Sequence, residues 1–254
     1  MELRVTGAGP AAPFLGARDV FETEHDLDNR VEVHIRENPD ERTWAGHYDD
    51  HHVLNISRQA ATSAMARELA LHEFAHMHRH EHAHPSHVLS MDEVLFLALT
   101  GRQVERRVLT HCHQIANHVK DIYADDITLS VGPTDKLVAF LESELAAAVA
   151  DQPVAGPTVG QRLTAGADPS MTAVNAAFAL ALLERHDAVP ADHRIYDLAH
   201  AAAEDAPEID VESFRERFAA LADDPDESDC RRGLVEAIRT YVDAQDTTTG
   251  PAAD

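Results

Sequence analysis

Apolar positions recur along this chain in two rhythms, and the change of rhythm falls near residue 57. Val31, Val33 and Ile35 alternate with polar neighbours, the period-two pattern of a strand with one buried face. Asn38-Pro39-Asp40 turns the chain into a second extended segment over 42–48, and Asp49-Asp50 turns it into a third over 52–56. From Ser57 onward the period lengthens. Ser57 suits an N-cap, Met65, Leu69 and Ala75 can face a core, and Pro85 forces a stop, so a helix is predicted from Ser57 to the vicinity of His82. Ser90-Met91-Asp92-Glu93 reads as a capping box opening a second helix, whose Val94, Leu95, Leu97 and Ala98 are apolar. A third helix is predicted over 108–129, closed by Gly132-Pro133, and a fourth runs from Thr134 through Leu137, Phe140, Leu141 and Leu145.

Outside this block the pattern is weaker at both ends. Residues 1–30, with Gly7, Gly9, Pro10 and Pro13 and then an acidic patch, read as a loosely structured segment. Residues 151–169 are rich in Gly and Pro and read as a linker or long loop, followed by helices near 170–186, 191–204, 211–222 and 228–244. The tail, 246–254, reads as disordered. The expected architecture is α+β: a metal-binding domain over 31–150 built from a small sheet and helices, and an all-helical region over 170–245.

Charge and composition narrow the setting. The formal net charge is -24, and Lys120 and Lys136 are the only lysines. Self-repulsion of that size destabilises a compact state unless salt screens it, and the screening length falls to about 3 Å at 1 M. High acid content, few lysines, much alanine and few aromatics together resemble proteins of salt-in haloarchaea. Such a surface argues against nucleic acid and anionic membrane as partners. Cys112 and Cys230, with no CxxC pair, read as small core residues in a reducing compartment. No signal peptide is apparent and no apolar run approaches 18 residues, so a cytoplasmic location is expected and the oligomeric state stays open.

The chemistry concentrates in Leu71-His72-Glu73-Phe74-Ala75-His76. Histidines four apart on a helix lie on one face and can share one metal ion. The glutamate beside the first can reach a metal-held water and take its proton, the arrangement of a zinc hydrolase. Chance would yield an HExxH string in a chain of this composition roughly one time in ten, so its context matters. Zinc takes three protein ligands in a catalytic site. The third helix offers Asp121-Ile122-Tyr123-Ala124-Asp125, two acids four apart on one face. One can bind the metal while the other accepts a hydrogen bond from a ligand histidine.

On these residues the chain resembles the zincin metallopeptidases, and within them the gluzincin branch, over roughly residues 30 to 130. In that pattern HExxH is followed by a helix reading Glu-x-x-x-Asp. The resemblance implies His72, His76 and Asp121 as zinc ligands, Glu73 as general base, and Asp125 as the outer carboxylate that orients a histidine. Asp replaces Glu at position 121, as in the aspzincin branch, which leaves Asp125 open as the alternative ligand. It further implies a peptide or protein substrate. The metzincin spacing offers His82 as a rival third ligand, but that pattern has glycine at the position held here by Arg79, which continues a helix readily. On a continued helix His82 would stand about 9 Å beyond His76, too far to share a zinc ion. The run His76, His78, His80, His82, His84 and His87 reads as a polar, solvated helix end. The resulting expectation is a zinc-dependent peptidase. Its alternative is a non-catalytic zinc- or nickel-binding protein whose histidine-rich segment buffers metal.

Overall fold

The computed structural model describes residues 1–38, 43–151 and 167–248. The chain divides into two compact units, one comprising Met1–Val88 and Lys120–Lys136, the other Leu89–Val119 and Leu137–Asp254. The first contains β1 (Leu3–Gly7), α1 (Ala12–Phe21), β2 (Arg30–Arg36), β3 (Trp44–His47), β4 (His51–Ser57), α2 (Arg58–Ala61), α3 (Ala66–Glu81) and α4 (Pro85–Val88). The strands lie in the order β1-β2-β4-β3; β1, β2 and β4 are parallel, and β3 runs antiparallel to β4 at the edge. Register places Val5 beside Val33 and Val33 beside Leu54. The period-two alternation therefore sends Leu3, Val5, Val31, Val33, Ile35, Leu54 and Ile56 into one core with Phe14, Ala17 and Phe21 of α1 and Ala70, Leu71, Phe74 and Met77 of α3.

Residues 1–30 are ordered, against the sequence reading of a loose segment. Leu3 and Val5 alternate as a short parallel strand, and Gly7 closes it at φ 100°, where an added Cβ would lie 2.3 Å from the Ile35 carbonyl oxygen. Phe14, Ala17 and Phe21 form the buried stripe of a helix that Pro13 helps to start. The predicted helix from Ser57 to His82 is broken in two. Ser57 does cap α2, accepting from the Ala60 amide, but the Thr62 hydroxyl bonds the Arg58 carbonyl and the Ser63 hydroxyl bonds that of Ala60. Those hydroxyls compete for the backbone, and α3 starts afresh at Ala66. Of the turn at 38–40 and the strand at 42–48, residues 39–42 lie outside the described residues.

The end of α3 sets the path of the chain beyond it. The His84 amide donates to the Arg79 carbonyl at 2.8 Å and the Ala83 amide to that of His80 at 3.0 Å, the paired bonds of a Schellman turn. Ala83, not glycine, takes the left-handed position at φ 49°, and Pro85 then opens α4 on the returning chain.

The second unit is helical: α5 (Met91–Leu99), the start of α6 (Arg106–Val131), most of α7 (Thr134–Ala150), α8 (Pro169–Arg185), α9 (Arg194–Asp205), α10 (Val211–Ala219) and α11 (Glu227–Thr248). A mixed sheet-and-helix region is thus followed by an all-helical stretch, α8–α11, as the sequence pattern predicts. Each compact unit draws on two separate stretches of sequence, however. Although the sequence reading groups 31–150 as one domain, α5 and the first half of α6 belong with the C-terminal helices. Residues 152–166 of the expected linker lie outside the described residues, and α11 extends through 246–248 of the expected tail. Every residue of α8 from Ser170 to Leu183 except Asn175 is buried, against α7, α9 and α10. Both cysteines are buried and neither is in a disulfide, and burial pushes the Cys112 thiol up to about 11. Among the described residues, no helix is long and apolar enough to cross a membrane.

Candidate metal centre

Two helices of the first unit carry the candidate residues. Leu71, Phe74, Ala75 and Met77 anchor α3 in the sheet core, which leaves His72, Glu73 and His76 along its flank. Ala124 and Ile127 anchor the C-terminal half of α6 in the same core, with Ile122 and Tyr123 fully buried beside them. Arg79 of α3 donates from Nε to the Tyr123 carbonyl at 2.9 Å, a direct tie between the two helices. The sequence-predicted acids of α6 are thereby brought against the HExxH face.

Ligand-capable atoms of His72, His76 and Asp121 lie within 4.8 Å of one another. The His72 and His76 Nε2 atoms are 2.9 Å apart, and Asp121 Oδ1 lies 3.3 Å from the second and 3.7 Å from the first. Ligands bound at about 2.0–2.1 Å in a tetrahedron stand about 3.3 Å from each other, so the triangle has the dimensions of three corners around one divalent ion. Asp125 is placed differently: its Oδ1 accepts a hydrogen bond from His72 Nδ1 at 2.7 Å. That bond puts the His72 proton on Nδ1 and turns Nε2 toward the cluster. Asp121 is half-buried and Asp125 buried.

Electrostatics of the triangle point the same way. Burial alone would lower the His72 pKa, but Asp125, Asp121 and Glu73 outweigh it and push it up to about 10. His72 Nδ1 already donates to Asp125, so in metal-free protein a second proton on His72 Nε2 makes the 2.9 Å bond to His76. A divalent ion would replace it. Burial raises the Glu73 pKa, with Asp121 adding to the rise and the two histidines opposing it. A carboxyl so placed exchanges a proton more readily near neutrality than an exposed one.

The histidine tract is not a uniform solvated end. His78 and His82 turn to one side, where the rings of His25, His78 and His82 pack in series and His82 Nδ1 bonds the His78 carbonyl. His80 stacks on His47 of β3 with ring centroids 4.1 Å apart. His84 is buried, and His87 returns on α4 to meet His76, its Nε2 lying 2.8 Å from His76 Nδ1. Burial, reinforced by the neighbouring His76 and Lys120, pushes the His87 pKa down to about 2 and keeps that ring neutral. His82, the rival third ligand, is the C-cap of α3 and does not join the cluster. Helical spacing alone gave no sign of His87, because it reaches His76 across a turn; the signal available was Pro85, which forces the chain to leave the helix axis just after the tract.

Other histidines near the predicted α6 motif have partners of their own: His111 pairs with the Tyr241 hydroxyl, and His118 bonds Asn175 while stacking on Phe178. Among the described residues, His72, His76 and Asp121 are the one group of three with metal-ligand spacing. No curated protein and no solved structure matches the chain. A family model matches residues 1–243, almost its whole length, and the chain belongs to that family, DUF5781, described as a family of unknown function.

Proposed function

We propose that this protein is a zinc-dependent hydrolase of peptide bonds. The observation that carries the reading is the convergence of His72 Nε2, His76 Nε2 and Asp121 Oδ1 in a triangle of tetrahedral dimensions, with Glu73 on the same helix. A zinc ion held by those three residues would act as a Lewis acid and lower the pKa of water at its fourth position to about 7. Glu73 accepts the proton of the attacking water on its carboxylate and hands it to the leaving nitrogen, a task its burial suits. Asp125 holds the His72 ring in the ligating tautomer. A purely structural or buffering centre has no use for a half-buried carboxylate beside its first histidine.

The test is Glu73→Gln, which keeps size and shape but removes the base. Zinc content measured by mass spectrometry should stay at about one per chain, while cleavage of a peptide library in molar KCl should fall roughly 10²- to 10⁴-fold. The high salt matches the -24 charge. Equal cleavage by both proteins would remove Glu73 from the role of base. A wild-type protein that holds zinc and cleaves nothing would favour the metal-binding alternative.

A further inference from the structure

A line of side chains leads from His76 into the turn beyond α3, and one backbone amide fixes the direction of its hydrogen bonds as far as His87. The Ser86 amide lies 3.3 Å from His84 Nδ1. An amide N–H can only donate, so His84 Nδ1 is an acceptor and carries no proton. Ser86 Oγ lies 2.8 Å from that same nitrogen, so its hydroxyl hydrogen must also be donated to it. Oγ is then left as an acceptor toward His87 Nδ1 at 2.8 Å, which must be protonated. Among the described residues His87 meets Ser86, His84 and His76 and pairs with no carboxylate, so its ring is neutral; with its one N–H on Nδ1, Nε2 is bare and accepts from His76 Nδ1 at 2.8 Å. The proton of His76 is therefore on Nδ1, and its Nε2 lone pair faces His72 and Asp121.

We infer that Ser86 and His87 are positioning residues that hold His76 in its ligating tautomer through a Ser86–His87–His76 hydrogen-bond chain anchored at His84. The two ligand histidines are thus held by different devices. His72 is oriented by a carboxylate, Asp125, whereas His76 is oriented by a neutral imidazole. A carboxylate accepts from whichever ring nitrogen faces it, but an imidazole can be an acceptor or a donor on a given edge. His87 performs its task only while Ser86 keeps the His87 proton on Nδ1. Ser86 is fully buried, so water does not compete for its hydroxyl.

This inference rests on the metal-centre reading for its purpose, while its hydrogen-bond directions are open to direct test in metal-free protein. Long-range ¹H–¹⁵N spectra of the histidine rings should show His76 and His87 protonated on Nδ1 and His84 on Nε2. A His87 ring protonated on Nε2 would overturn the chain, whatever the protein does with metal. Zinc affinity is the second readout, taken by competition with a chromophoric chelator. His87→Leu removes the acceptor and should weaken binding about 10- to 100-fold, and Ser86→Ala should weaken it in the same direction by freeing the His87 tautomer. His87→Gln, whose amide oxygen can accept from His76 Nδ1, should recover most of the loss; a merely space-filling role would not separate Leu from Gln. Unchanged affinity in His87→Leu, with native ring spectra elsewhere, would reject the role. His76→Ala is the control: if it too leaves zinc binding unchanged, the metal-centre reading fails, and the ring spectra still decide the hydrogen-bond chain.

Discussion

Helices α3 and α8 each lie at the centre of a compact unit, and they are built on opposite principles. In α8, Asp168 caps the first turn by accepting from the Met171 amide, Pro169 occupies the start, and nearly every side chain to Leu183 is buried and apolar or small. Asn175, the one residue between Ser170 and Leu183 that is only partly buried, accepts from Gln114 and His118. In α3 no side chain caps the N-terminus, and its buried residues share sixteen positions with His72, Glu73, His76, His78 and His80. Histidines on its flank are held by partners from other segments: His72 by Asp125, His76 by Asp121 and His87, His80 by His47. A helix that only stabilises can be apolar all round, whereas one that presents chemistry gives up burial and borrows order from its neighbours.

The sharpest way to break that comparison is to remove a ligand. His72→Ala or His76→Ala should leave no zinc after gel filtration, read by elemental analysis, while the far-ultraviolet spectrum stays native. In α8, Leu183→Ala should do the reverse. It truncates a fully buried side chain and should cost about 2–5 kcal/mol in urea denaturation while zinc stoichiometry holds. If the histidine variants kept their zinc, α3 would be a structural helix like α8.

Smaller effects sharpen the roles within the centre. Asp121→Ala should damage zinc retention most, Asp125→Ala should cost about 10- to 100-fold in affinity, and His82→Ala should change it little, as measured by chelator competition. A larger loss from Asp125→Ala than from Asp121→Ala would exchange their roles. The smallest effect has the opposite sign. Glu73 is half-buried and its ionised form is disfavoured there, so Glu73→Gln should stabilise metal-free protein by about 1 kcal/mol, visible as a higher thermal midpoint. A lower midpoint would mean that Glu73 holds the fold together as the α8 residues do.

How much of the molecule is legible in the sequence depends on the range of the interactions involved. The strands over 31–36 and 52–56 and the helices from Ser90 onward depend on local alternation, caps and prolines, and they are legible. The paired acids of α6 were legible as candidates from their spacing, but the choice of Asp121 over Asp125 came through resemblance, because packing joins α3 to α6 and 44 residues lie between His76 and Asp121. Beyond the break between α2 and α3 and the division of 31–150, two local features escaped. The first strand and helix were hidden by glycines and prolines that in the structure close β1 and start α1. The division of the histidine tract escaped because neighbouring histidines look alike in sequence. Only the turn at Ala83 and the surfaces of β3 and α6 send His80 to His47 and His87 to His76.

Left-handed backbone at Ala83 costs on the order of 1–2 kcal/mol, and the turn persists because the Arg79 and His80 carbonyls and Pro85 leave the chain little else to do. The returning segment therefore has few alternative paths, and the candidate ligand set is assembled by the sheet core and this turn in the metal-free chain. On the proposed reading, metal uptake is then a property of the folded molecule. Unlike a small zinc-nucleated domain, whose chelation and unfolding are one event, this chain should give up and regain its ion as an intact template.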